Sequence, residues 1–147
     1  MTAIRQKCLL TLVSAIVSGV WAPAIAAEMK ENLWELLEKP QYKPAWKALM
    51  VGHKKLPAWI KDGKGVSSPC DETNTGGKSY IVGDMCEPHN CAGHMFVAVF
   101  SKDLKQAWGL RSVQGYEAGA KSTQEWFGSP SPEVKKLLEE RLALRLK

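Results

Sequence analysis

The chain has 147 residues, 45% of them hydrophobic, with 20 Lys and Arg against 15 Asp and Glu, for a formal net charge of +5 at pH 7. The basic residues are scattered, as in "HKK" at 53–55 and "KK" at 135–136, and no aromatic-interleaved stripe follows a phosphate backbone, which argues against nucleic acid as a partner. No internal repeat or low-complexity tract is visible, and no apolar run reaches the roughly 20 residues of a membrane-spanning helix.

The first segment, residues 1–27, places Arg5 and Lys7 ahead of an apolar run from Cys8 to Val20, and the small residues of "AIAA" follow. This is the pattern of a secretory signal peptide, expected to be cleaved after Ala26 or Ala27 and to leave no membrane anchor. The remaining unit, 28–147, is expected to be a single domain that buries roughly two thirds of its unfolded surface. Loss of Arg5 and Lys7 leaves it a formal charge of about +3. The expected location is the periplasm or the exterior, where thiols oxidise.

Within that unit, "EMKENLWELLEKP" carries Leu33, Trp34, Leu36 and Leu37 at helical spacing and predicts a helix over about 29–39, stopped before Pro40. "PAWKALMV" predicts a second short helix, with Pro44 in its first turn and Trp46, Leu49 and Met50 on one face. "GHKKLPAW" is read as mainly structural: Pro57 sets a turn, Trp59 anchors it in the core, and His53 hydrogen-bonds locally. "SSPCDETNTGGK" has the composition of a loop. Strands are predicted over 78–86, 93–101, 105–114 and 121–128, where β-branched and aromatic residues recur with few charges. In the last segment Ser131 caps a helix with Pro132 at its first position, and Val134, Leu137, Leu138 and Leu142 form an apolar stripe expected to pack on the sheet. Trp34, Trp46, Trp108 and Trp126 are assigned to the core by default. Helices at both ends with strands between predict an antiparallel α+β domain.

"CEPHNC", residues 86–91, bridges the first two of these strands. Three cysteines remain once Cys8 departs, so one is left over. A Cys86–Cys91 bridge closes a loop of six residues, worth about 2 kcal/mol in chain entropy, and with Pro88 it restricts how His89 is presented. Pairing of either with Cys70 stays open. In the favoured pairing Cys70 is a buried thiol or a handle that links two chains into a homodimer. Cys86, His89, Cys91 and His94 are also a set of soft or borderline metal ligands, but structural zinc sites set two ligand pairs farther apart, and an oxidising compartment favours the disulfide. A cysteine nucleophile lacks an orienting partner, and a redox pair more commonly has two intervening residues. His94 opens a strand and has an ordinary edge or surface role.

The hexapeptide, preceded by a strand and followed by "AGHMFVAVF", resembles the cysteine-lysine-proline-histidine-aspartate-cysteine loop of the periplasmic inhibitors of vertebrate lysozyme, the Ivy family. "MVGHKKLPAW", residues 50–59, is similar to a second segment of that family, and the resemblance covers about 30–128. It implies an α+β fold with an antiparallel sheet of about five strands, helices packed on it, and a protruding disulfide-stapled loop that plugs the cleft of a c-type lysozyme. The inhibitory loop would be Cys86, Glu87, Pro88, His89, Asn90 and Cys91, with His89 as the central contact. Such inhibition needs no cofactor, no metal and no catalysis by the chain itself. Two positions depart from the family loop: Glu87 stands for lysine, and Asn90 for aspartate. A carboxylate at 87 would repel an acidic cleft or point outward to a basic rim. These departures motivate an alternative target, the cell's own lytic transglycosylases, whose cleft holds a single catalytic carboxylate.

Overall fold

The computed structural model describes residues 30–115 and 120–147; the expected signal peptide, 1–27, lies outside them. In chain order the elements are α1 (Leu33–Glu38), α2 (Lys43–Met50), α3 (Ala58–Lys61), β1 (Val66–Ser67), β2 (Asp71–Thr75), β3 (Lys78–Cys86), β4 (His94–Ser101), β5 (Ala107–Val113), β6 (Thr123–Phe127) and α4 (Pro132–Arg145).

The sheet is antiparallel, in the order β1-β3-β4-β5-β6, with β2 pairing the same edge of β3 as β1 does. It has six strands. The four strands expected from pattern are all present, and the additional two are the short segments β1 and β2 that extend the sheet beyond β3. Asp71–Thr75 forms a strand despite its polar sequence because it lies at an edge, where its backbone pairs with Lys78–Val82 and its outward side chains meet water.

Helices cover both faces of the sheet. One face carries Met85, Phe96, Ala98, Phe100 and Phe127 against Leu33, Leu36, Leu37, Trp46, Leu49, Trp59 and Ile60 of α1–α3. The other carries Tyr80, Val82, Cys86, Met95, Val97, Val99 and Leu110 against Val134, Leu138 and Leu142 of α4. Successive residues of β4 therefore face opposite cores, and Met95–Phe100 is buried throughout.

The helices stop and start for local reasons. Ser131 Oγ accepts the Val134 N–H and Pro132 opens α4, as expected. The first helix is shorter than expected. Glu31 and Asn32 are extended, with Glu31 O accepting the Cys70 N–H at 2.8 Å and Asn32 bridging Pro69, so the chain joins the sheet edge before it turns into α1. Trp34 is also a correction: it is 38% exposed, on the solvent side of this short helix.

The His53 backbone N–H bonds locally, to Met50 O at 3.3 Å, but its side chain reaches across to β6. Its Nδ1 lies 2.9 Å from Glu125 Oε1 on β6, and its ring stacks on Phe127 with centroids 3.9 Å apart. Trp59 is buried and Pro57 caps α3, as the structural reading of this segment requires. Among the described residues no helix is long and apolar enough to cross a membrane.

Candidate functional site

β3 and β4 pair up to Cys86 opposite Met95, and the chain between them forms the loop. The ladder continues for one bond, from Glu87 N–H to His94 O at 3.1 Å. Asn90 N–H then donates to Glu87 O at 2.9 Å, closing a four-residue turn over Pro88 and His89. His89 has φ +65. Pro at the second position and positive φ at the third are the pattern of a type II turn, whose third position ordinarily takes Gly or Asn. A histidine held there stores backbone strain that the surrounding bonds must offset.

Those bonds are numerous. Asn90 O accepts from Gly93 N–H at 3.1 Å and His94 N–H at 3.0 Å, which returns the chain to β4, and Gly93 O accepts the Gln114 N–H at 2.8 Å beside the end of β5. Cys86 and Cys91 are joined by a disulfide, with Cα atoms 4.8 Å apart. Cys86 is buried in the α4-side core, whereas Pro88, His89 and Cys91 are exposed. The staple thus ties an exposed tip to the packed interior. The His89 imidazole faces solvent with no hydrogen-bond partner among the described residues.

Glu87 does not point outward. Its Oε2 accepts from Asn90 Nδ2 at 2.9 Å and lies 2.6 Å from His94 Nδ1, though that approach lacks the alignment of a good hydrogen bond. All six residues expected to form the loop are brought together, and His94, expected to be an ordinary edge residue, joins them. The sequence held a signal for this: strands ending at 86 and beginning near 94 set Glu87 opposite His94 as the next cross-strand pair.

The bridge leaves neither Cys86 nor Cys91 as a thiolate ligand, and among the described residues no cluster of three or more His, Cys, Asp or Glu is arranged to hold a metal ion. Cys70 is free and buried, with its Sγ in the space left by Gly83, where a Cβ would come within 2.6 Å of it. The expected alternative of an exposed handle for a covalent dimer is therefore corrected.

A family model described as "Inhibitor of vertebrate lysozyme (Ivy)" matches residues 41–143, which include the whole loop and both cores apart from Leu33, Leu36 and Leu37 of α1. The chain belongs to the Ivy family. A relative from Pseudomonas aeruginosa named "Inhibitor of vertebrate lysozyme" is 34% identical over 129 residues, covering 83% of this chain and 84% of its own length. An uncharacterized Yersinia pestis protein is 34% identical over 137 residues, covering 88% of each chain, and an uncharacterized P. aeruginosa protein is 27% identical over 148 residues, covering 93% of this chain and 96% of its own.

Proposed function

We propose that this protein is exported through its N-terminal segment and inhibits c-type lysozyme in the periplasm by inserting the loop 86–91 into the active-site cleft. The observation that carries this reading is His89: exposed, without a hydrogen-bond partner among the described residues, and fixed at φ +65 on a loop closed by a disulfide and by backbone bonds. Membership of the Ivy family and the relative named as an inhibitor support it.

The chemistry is complementary. A retaining glycosidase holds two carboxyl groups about 5 Å apart across the scissile bond, one of them a general acid of raised pKa. An imidazole offers two ring nitrogens, both donors when protonated, and so can bond to both carboxyl groups at once. Because the loop is ordered before it binds, little conformational entropy is lost on insertion. The inward turn of Glu87 keeps its carboxylate engaged within the loop, which lessens the repulsion expected from a glutamate next to an acidic cleft.

A second reading rests on the same two departures from the family loop, Glu87 and Asn90: the loop serves another peptidoglycan-cleaving enzyme, such as a lytic transglycosylase. Inhibition of a c-type lysozyme on cell-wall substrate distinguishes the two. The oxidised protein should inhibit, and His89→Ala should weaken binding by more than about 1 kcal/mol with no matching fall in Tm. Unchanged affinity in that variant would remove His89 from the interface. Absence of inhibition by the unchanged protein, with binding to a lytic transglycosylase, would establish the second reading.

A further inference from the structure

Asn90 Nδ2 donates to Glu87 Oε2 at 2.9 Å, and the same oxygen lies 2.6 Å from His94 Nδ1. The backbones of these three residues also close the loop, through Glu87 N–H to His94 O, Asn90 N–H to Glu87 O, and His94 N–H to Asn90 O. The Glu87 and His94 side chains are sheltered, at 32% and 26% exposure, so their contacts compete with water less than surface pairs do. The side-chain contacts thus span the base of the turn whose tip is Pro88 and His89.

We propose that Glu87, Asn90 and His94 are positioning residues, a polar clasp that fixes how His89 is presented, and that Glu87 and Asn90 are matched to each other as acceptor and donor. The proposal rests on the reading of this loop as the inhibitory element. Its physical content is pairwise. Aspartate at 90 would set a second carboxylate at hydrogen-bond distance from Glu87, where like charges repel and the amide donor is gone. Lysine at 87 would require the Asn90 amide to turn its oxygen inward as acceptor, and would set an ammonium beside His94 Nδ1 where a carboxylate now stands. The two changes together rebuild it with reversed polarity, an ammonium donating to a carboxylate. Specificity at this loop is therefore carried by a pair, and either member exchanged alone is a worse residue than both exchanged together.

The test compares four proteins, the unchanged one, Asn90→Asp, Glu87→Lys and the double variant, with Glu87→Gln as a conservative control. Residue-resolved amide hydrogen exchange at Asn90, Gly93 and His94 in the free protein is measured beside affinity for a c-type lysozyme. Each single change should speed exchange at these amides roughly tenfold, the scale of losing a hydrogen bond to a charged group. Affinity should fall by a similar factor, and the double variant should return to within about threefold of the unchanged protein in both readouts. Glu87→Gln, which keeps an acceptor for Asn90, should exchange at nearly the unchanged rate. A generally weakened fold would show no such rescue. Strictly additive effects in the double variant, or exchange at the unchanged rate in Asn90→Asp and Glu87→Lys, would overturn the clasp. Since exchange is read without a partner, coupling there together with no lysozyme binding by any of the four would overturn the inhibitory reading and leave the clasp supported.

Discussion

Cys70 lies between Pro69 and a run of polar residues, and its neighbours in sequence speak for an exposed loop. Its burial comes from elsewhere: Glu31 O holds its backbone N–H, and Gly83 on β3 leaves the space its sulfur fills. No local pattern reports a space provided from 13 residues away in another strand. Burial pushes the thiol up from 9.0 to about 12. The folded protein should consequently be inert to a thiol-exchange reagent at pH 8, whereas the urea-unfolded protein should react at Cys70. The sign for stability follows. Above pH 9 the unfolded thiol loses its proton while the folded one keeps it, so the contribution is full below pH 9 and declines as pH rises toward 12. The urea midpoint should fall over that range in the unchanged protein and fall less in Cys70→Ala. His89 is the opposite case. Its place after Pro88 and between two cysteines marked it in the sequence, but its positive φ belongs to the turn that Asn90 N–H closes on Glu87 O, and the inward turn of Glu87 to its contacts with Asn90 and His94.

At the scale of elements, α4 shows what periodicity finds and what it omits. The expected stripe is present, with Val134, Leu138 and Leu142 buried and Leu137 half-buried. Arg141 lies on the same buried face, 9% exposed, and a stripe of apolar residues does not announce it. Its counterpart is Asp84, the charged residue within the buried run of β3. Arg141 Nε donates to Asp84 Oδ2 at 2.5 Å, Arg145 Nε lies 3.0 Å from Asp84 Oδ1, and Arg141 also reaches Asp71 at 2.6 Å and Pro69 O at 2.8 Å. These bonds lock α4 to β2, to β3 and to the residue before Cys70. Removing Asp84 leaves the buried Arg141 with only the more exposed Asp71 and Pro69 O, and takes from Arg145 its carboxylate. Asp84→Leu should therefore cost about 3–5 kcal/mol, and adding Arg141→Met should recover at least about 1 kcal/mol of that loss. Urea unfolding of the two variants measures both quantities, and a double variant no more stable than Asp84→Leu would show that the pair is not coupled. The polar strand β2 and the four-residue helix α3 escaped the pattern for a related reason: each is too short, or too exposed, for its own periodicity to speak without its partner.

For the molecule as a whole, the order of helices, strands and a final helix was enough to set the class, but not to say which helices cover which face. A strand buried on one side alternates in polarity, and β4 does not, because α1–α3 and α4 bury its two sides. Packing of this kind places stability in the two cores and leaves the loop at one end of the β3–β4 hairpin, where Cys86 is the loop residue buried in a core. Stability and inhibition should then separate when the staple is removed. In Cys86→Ala with Cys91→Ser, the six-residue closure that is lost is worth about 2 kcal/mol, and both cores remain. The loop, however, must now be ordered on binding, at roughly 1 kcal/mol for each residue fixed, so inhibition should weaken by at least about tenfold. Urea unfolding and a lysozyme inhibition titration on the same preparation give the two quantities. Inhibition unaffected by the change would mean that the turn at Glu87–Asn90 and the contacts of His94 alone hold His89 in place. A loss of cooperative unfolding would instead mean that Cys86 anchors the α4-side core to a degree that its place at the end of β3 does not suggest.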